Sequence, residues 1–162
     1  MSATVTPELD LETCSWTRPA FQRLVAEAVH VARRAAQPCS LLVVDVDDFQ
    51  SLRDVHGELA ADTCLEALVE RIAGEGNGAG PVGRLGPDTF ALLLPGWALP
   101  RACTLADRIR SAARADPDVR ATVSVGVASL RPGEAWGNLL EAAEQACIRA
   151  KQGGRNRSVH RR

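Results

Sequence analysis

The chain has 162 residues, 46% of them hydrophobic and 24% charged, with a formal net charge of −1. That suffices for one core in one domain and excludes a generally basic nucleic-acid binder. No run of about 20 apolar residues occurs, and the opening MSATVTPELDLET lacks the basic-then-apolar order of a secretory signal, so neither a membrane span nor export is expected.

Residues 1–17 read as an extended lead-in. Phe21, Leu24, Val25, Ala28 and Ala32 recur at helical spacing and stop near Ala36, before Gln37-Pro38. The run SLLVVDVD, residues 40–47, reads as a buried strand ending in carboxylates. A short helical piece follows and breaks at Gly57. Cys64, Leu65, Leu68, Val69 and Ile72 mark a second amphipathic helix, and residues 74–81 (GEGNGAGP) a loop. PVGRL and TFALLLP, separated by Gly86-Pro87-Asp88, predict a hairpin. Leu105, Ile109 and Ala112 mark a helix closed by Asp116-Pro117. Residues 119–130 predict a long strand. Leu139, Leu140, Ala143, Ala146, Cys147 and Ala150 form a last helix, stopped at Gly153-Gly154.

The end of the chain is unbalanced in charge. Residues 149–162 hold six basic residues and no acid, against 13 basic and 20 acidic residues in the other 148. Lys151 is the only lysine beside 18 arginines. The order of elements predicts an α/β (α+β) domain, a mixed sheet with helices on its faces. The five cysteines (Cys14, Cys39, Cys64, Cys103, Cys147) have no CxxC or Cys/His spacing, so they read as buried small hydrophobes in a reducing, cytoplasmic setting. Trp97 and Trp136 read as staples ahead of helices. For all three tryptophans, Trp16 included, core or staple is the preferred reading and an exposed partner surface the alternative.

Three constellations point to chemistry. Asp45, Asp47 and Asp48 close the first strand, with alternation sending Asp45 and Asp47 to one face and Asp48 to the other. Such hard oxygens suit Mg²⁺ alongside substrate phosphates; Asp48 equally suits a helix N-cap. In the hairpin, Gly86 permits a close ligand approach and Asp88 places a carboxylate at the turn; an ordinary Pro-Asp turn is the plain alternative. In residues 149–157, Lys151 and Arg155 read either as cations complementing a helix C-terminus or as a phosphate clamp.

Together these segments resemble the GGDEF domain of bacterial diguanylate cyclases. DLETCSWTRPAF is similar to the family's D-x-L-T-G-L-x-N-R-x-x-F at Asp10, Thr13, Arg18 and Phe21, with Cys14 and Thr17 in place of Gly and Asn. DVDDFQSLRDVHGELAAD follows the family's D-x-D-x-F-K-x-x-N-D-x-x-G-H-x-x-G-D. The signature falls on Gly86, Pro87, Asp88, Thr89 and Phe90. SVGVA (residues 124–128) and the A-x-x-A-L-Y-x-A-K-x-x-G-R-N-R-V ending (residues 143–157, with Lys151, Gly154, Arg155, Asn156 and Arg157) complete the match.

The resemblance implies a nucleotidyl-cyclase-like, mainly antiparallel sheet with a ferredoxin-like core, organised as a lead-in (1–17), one degenerate GGDEF domain (18–158) and a basic end (159–162). It implies chemistry in which two facing domains join two GTP molecules into cyclic di-GMP, with Mg²⁺ activating a 3′-hydroxyl. Asp45 and Asp88 would be the metal ligands. Backbone around Asp48, Phe49 and Gln50 would cradle phosphates, Lys151 and Arg155 would hold the terminal phosphates, and Asp62 would accept from the guanine edge. Departures fall at working positions. Pro87 replaces the second signature glycine, fixing φ and removing an N–H. Thr89 replaces the fourth-position Glu; a unit charge pair at 4 Å is worth about 4 kcal/mol at an effective dielectric of 20, roughly 10³ in rate. Arg53 replaces the guanine-reading Asn and offers donors only, though guanidinium suits the O6/N7 edge. Gln50 replaces Lys and Glu58 replaces His. The inhibitory R-x-x-D falls on Asn77 and Gly80, which argues against cyclic di-GMP at that site.

The expectation is therefore a stand-alone degenerate GGDEF domain without cyclase activity and with no confident catalytic residue. It is a regulatory protein-interaction or GTP-binding module in which Mg²⁺ enters only with nucleotide. With about 17 residues ahead of the first helix, input and any dimerisation are expected from a protein partner in trans. Two alternatives stand beside it: an active cyclase with altered base specificity, and an anionic-surface or nucleic-acid binder using the basic tail. The tail lacks interleaved aromatics, which disfavours single-strand binding.

Overall fold

A computed structural model describes residues 8–161. A five-stranded sheet runs in the order β2-β3-β1-β4-β5. Its strands are β1 (Cys39–Val46), β2 (Val82–Gly86), β3 (Thr89–Pro95), β4 (Val123–Ser129) and β5 (Ser158–His160). The first four pair antiparallel, and β5 joins β4 in parallel. The helices are α1 (Arg18–Ala35), α2 (Phe49–His56), α3 (Glu58–Gly76), α4 (Leu99–Ala115) and α5 (Trp136–Gln152). This is the mixed α+β domain that the order of elements predicts, with the mainly antiparallel sheet that the resemblance implies.

Alternation along the central strands divides the core. Leu42, Val44 and Val46 of β1 pack with Phe90, Leu92 and Leu94 of β3 under α2, α3 and α4. Leu41 and Val43 face the other way, toward Phe21, Val25 and Val29 of α1 and Leu139, Ala143 and Cys147 of α5. Burial on both faces explains why these strands read as continuous apolar runs. Two glycines let helices come close. A Cβ on Gly126 of β4 would sit 2.1 Å from the Ala143 carbonyl oxygen and 2.3 Å from the Cys147 nitrogen of α5. One on Gly83 would enter the Phe21 ring, 2.4 Å from Cγ.

Several expectations need correction. The lead-in over residues 8–17 is not simply extended. Leu9 bridges antiparallel to Trp16, and Trp16 bridges parallel to Gly83, covering the outer edge of β2; residues 1–7 lie outside the description. The glycine-rich stretch does not begin a loop at Gly74, because α3 continues to Gly76 and turns at Asn77, whose φ is 48°. The long strand starts four residues late: Asp116 folds residues 116–119 into a turn through its carbonyl and carboxylate oxygens, and Arg120 has φ 55°. β5 went unread, its three residues being too few for a periodic signal. Trp97 packs against the core, with the Arg101 guanidinium 3.7 Å from its ring centroid. Trp136 opens α5 itself and is 37% exposed, so it is not a buried staple. Cys14 is exposed and Cys103 half-buried, while Cys39, Cys64 and Cys147 are buried as expected.

Candidate functional site

The site forms where β1 runs out against the β2–β3 turn. Register sets Asp45 between Thr89 on β3 and Ser124 on β4, on the face that α5 covers. From the last turn of α5, Lys151 reaches down: its Nζ lies 2.9 Å from Asp45 Oδ1 and 3.5 Å from Asp47 Oδ1, and donates to the Val46 carbonyl at 3.2 Å. The Thr89 hydroxyl donates to Asp45 Oδ2 at 3.1 Å. Both Asp45 and Asp47 thus face one ammonium, as alternation predicts.

Electrostatics differ between the two carboxyls. Burial, with Asp88 adding repulsion, pushes Asp45 above the ordinary carboxylate range despite Lys151 and Thr89. Burial would also raise Asp47, but hydrogen bonds from Ser124, Thr122 and the Asn156 N–H, with the Lys151 charge, hold it below that range. Burial opposes the Lys151 ammonium, yet the bond to Asp45 and the charges of Asp45 and Asp47 keep it above the usual lysine value.

The turn that presents Asp88 is two residues long. Val46 donates its N–H to the Asp88 carbonyl at 3.1 Å. Gly86 does not have positive φ, and a Cβ there would meet Thr89 at 3.7 Å, ordinary contact; within this chain the turn does not demand glycine. Phe90 is fully buried core. Arg84, which sequence reasoning passed over, fixes the turn. It bonds the carbonyls of Pro87 at 2.7 Å and Gly86 at 3.3 Å, and pairs with Asp10 at 3.1 Å and Glu12 at 2.7 Å. Its signal was a lone arginine in an otherwise apolar strand.

Other candidates group elsewhere. Asp48 is the residue before α2, but with φ 52° its side chain makes no capping bond; it faces Arg155 at 3.6 Å instead. Phe49 is buried core, its ring 4.9 Å from the Arg53 guanidinium carbon, so only its backbone is offered to a ligand. Gln50 donates to Asp54 within α2. Arg53 pairs with Glu58 at 3.4 Å. Asp62 meets Glu12, whose proximity raises the Asp62 carboxyl above its ordinary value. Two carboxylates, Asp45 and Asp88, are oxygen donors of the kind Mg²⁺ takes together with phosphate and water. Among the described residues no cluster of three or more His, Cys, Asp or Glu side chains forms a metal cage of its own.

The sequence profile described as "Diguanylate cyclase, GGDEF domain" matches residues 8–157, and the chain belongs to the GGDEF family. The probable diguanylate cyclase DgcC of Escherichia coli K12 is 29% identical over 149 residues, covering 88% of this chain and 40% of that protein. Diguanylate cyclase DgcM of the same organism is 38% identical over 125 residues, 75% of this chain and 30% of that protein. The chain thus spans less than half the length of these curated relatives. Among solved structures, the GGDEF domain of DgcB from Caulobacter crescentus in complex with c-di-GMP superposes with a TM-score of 0.88 at 26% identity, covering 99% of this chain and 97% of that one. Diguanylate cyclase SiaD of Pseudomonas aeruginosa, in complex with its activator SiaC, gives 0.85 at 28% identity over 94% of this chain and 61% of that one. Membership places the domain in c-di-GMP signalling. No helix among the described residues is long and apolar enough to cross a membrane.

Proposed function

We propose that this chain is a GGDEF domain without diguanylate cyclase activity. It serves as a regulatory module that binds GTP weakly with Mg²⁺ and acts on a protein partner, in the cytoplasm. One observation carries the reading. Where the family signature has Glu, Thr89 adds no charge and donates its hydroxyl to Asp45, whose other oxygen is neutralised by Lys151 at 2.9 Å. The carboxylate that would hold Mg²⁺ therefore has its charge satisfied within the chain, and one negative charge is missing beside it.

Asp45, Asp88, Lys151 and Arg155 retain the chemistry for a triphosphate with Mg²⁺. Release of Lys151 from Asp45 would free one group for metal and the other for phosphate. Feedback by cyclic di-GMP at the inhibitory position is not part of the proposal. Asn77 closes α3, and a Cβ on Gly80 would lie 1.8 Å from the Leu93 carbonyl oxygen, so position 80 has no room for a carboxylate in this backbone. The relatives' complexes with c-di-GMP and with SiaC motivate a search for a partner in trans.

The test is incubation with GTP and Mg²⁺ or Mn²⁺, followed by mass spectrometry, with calorimetry of GTP alongside. The expected outcome is measurable GTP heat that needs Mg²⁺ and no cyclic di-GMP. Turnover at ordinary cyclase rates overturns the loss of activity. Absence of heat at high protein concentration removes GTP and leaves protein interaction.

A further inference from the structure

The segment after α5 holds three successive residues with positive φ: Gly154 at 119°, Arg155 at 64° and Asn156 at 44°. Side-chain-bearing residues seldom adopt that region, and two in a row need outside support. The support comes from Asp47. Its side chain is 3% exposed. Oδ1 accepts from Ser124 Oγ at 2.7 Å and faces Lys151 Nζ at 3.5 Å. Oδ2 accepts from Thr122 Oγ1 at 2.7 Å and from the Asn156 backbone N–H at 3.0 Å. Each oxygen has two donors, which uses the full accepting capacity of a carboxylate.

We propose that Asp47 is the positioning residue of the candidate phosphate clamp. From the end of β1 it holds the Lys151 ammonium beside Asp45. It also pins the loop backbone at Asn156, so that Arg155, one residue earlier, projects beside Asp48 at 3.6 Å. Asp47 touches no ligand itself, being buried; it acts through the two cations. Every neighbour is a donor, so an amide in its place sets an NH₂ against one of them and removes the charge that faces Lys151. The proposal rests on the GTP-binding part of the function above.

The test compares wild type with Asp47→Asn, confirmed as folded by circular dichroism. Two readouts are used: binding of GTP–Mg²⁺ and of guanosine, and amide exchange at Asn156 by NMR. The expected result is at least a tenfold loss of GTP affinity with guanosine affinity unchanged, and at least tenfold faster exchange at Asn156. An equal loss for GTP and guanosine, or no loss for GTP, overturns the proposal, because general loosening cannot select for phosphates. If Asp47→Asn does not fold, Thr122→Val removes one donor to the same carboxylate and is expected to produce the same selective loss at smaller size; an unselective loss or none overturns the proposal. If wild type binds no GTP, the GTP-binding reading falls. The Asn156 amide then decides alone: at least tenfold faster exchange in Asp47→Asn, or faster exchange in Thr122→Val, than in wild type supports Asp47 as the anchor, and equal exchange overturns it.

Discussion

At the scale of single residues, Lys151 joins two carboxylates of the candidate site, Asp45 and Asp47. Its side chain is 28% exposed and that of Asp45 22%, so the pair is shielded enough to matter. Lys151→Ala leaves a shielded carboxylate with only the Thr89 hydroxyl, and a loss of about 1–2 kcal/mol is expected near neutral pH. Urea unfolding reads it, and adding Asp45→Asn recovers part of the loss. The Lys151 contribution is fully present below the ordinary lysine value of 10.5 and is lost as pH rises through its raised folded value. Thiol labelling checks a second set of residues. Burial pushes the Cys39 and Cys64 thiols up to about 11 and the Cys147 thiol up to about 12. Cys14 is exposed. An aromatic disulfide reagent at pH 8, followed by peptide mapping, is expected to find Cys14 first, Cys103 later, and the other three only after unfolding. The candidate pair Asp45 and Lys151 was legible as motif residues. Their mutual ion pair was not, because sequence assigns partners by family role and cannot see that two groups meant for a ligand first meet each other. Asp47 was placed on the correct face, yet its role depends on Thr122, Ser124 and Asn156, three residues brought together only by the fold.

At the scale of elements, the helices and central strands were legible wherever apolar spacing was long, as in α1, α5 and β1. Where the backbone itself decides, periodicity is silent. Asp116 turns the chain ahead of β4, Trp16 seals β2, and β5 is held by its parallel partner rather than by composition. The contrast between two glycines makes this measurable. Gly126→Ala drives a methyl into the backbone of α5, which cannot yield as a side chain would, and a loss of at least about 2–3 kcal/mol is expected. Gly74→Ala places a methyl in open space within α3, and a gain of about 0.5–1 kcal/mol is expected from helix propensity. Thermal unfolding of the two variants, measured side by side, separates packing from propensity.

At the scale of the whole molecule, charge dominates the response to acid. Hydrogen bonds and arginine neighbours hold Asp10, Glu12 and Glu134 below ordinary values, and Asp47 is held there by its hydroxyl, amide and lysine partners. Each contributes stability above its ordinary value, 3.8 for Asp or 4.5 for Glu, which is lost as pH falls through the lower folded value. The raised Asp45 works oppositely, since its protonation in acid relieves a burial cost. Unfolding free energy is therefore expected to be nearly flat from about pH 5 to 8 and to fall below about pH 4. Glu134→Gln should soften the fall. Glu134 pairs with Arg161, which also bonds the Ser129 carbonyl; a residue that composition placed in a free basic tail closes an ion pair against the sheet.

Gly126 ties these scales together. Ala143 and Cys147 rest on it backbone to backbone, and Lys151 stands one turn beyond Cys147 on the same helix. The height of α5 above β4 has no slack, so the reach of the ammonium to Asp45 is gauged by a side chain that the neighbouring strand does not have. Exchanging Asp45 for another anion is then a matter of lysine rotamers turning over a fixed helix. Rotation about side-chain bonds is faster than a helix shift, which takes microseconds or longer, so any exchange of partner by Lys151 is expected to leave the shape of the domain unchanged.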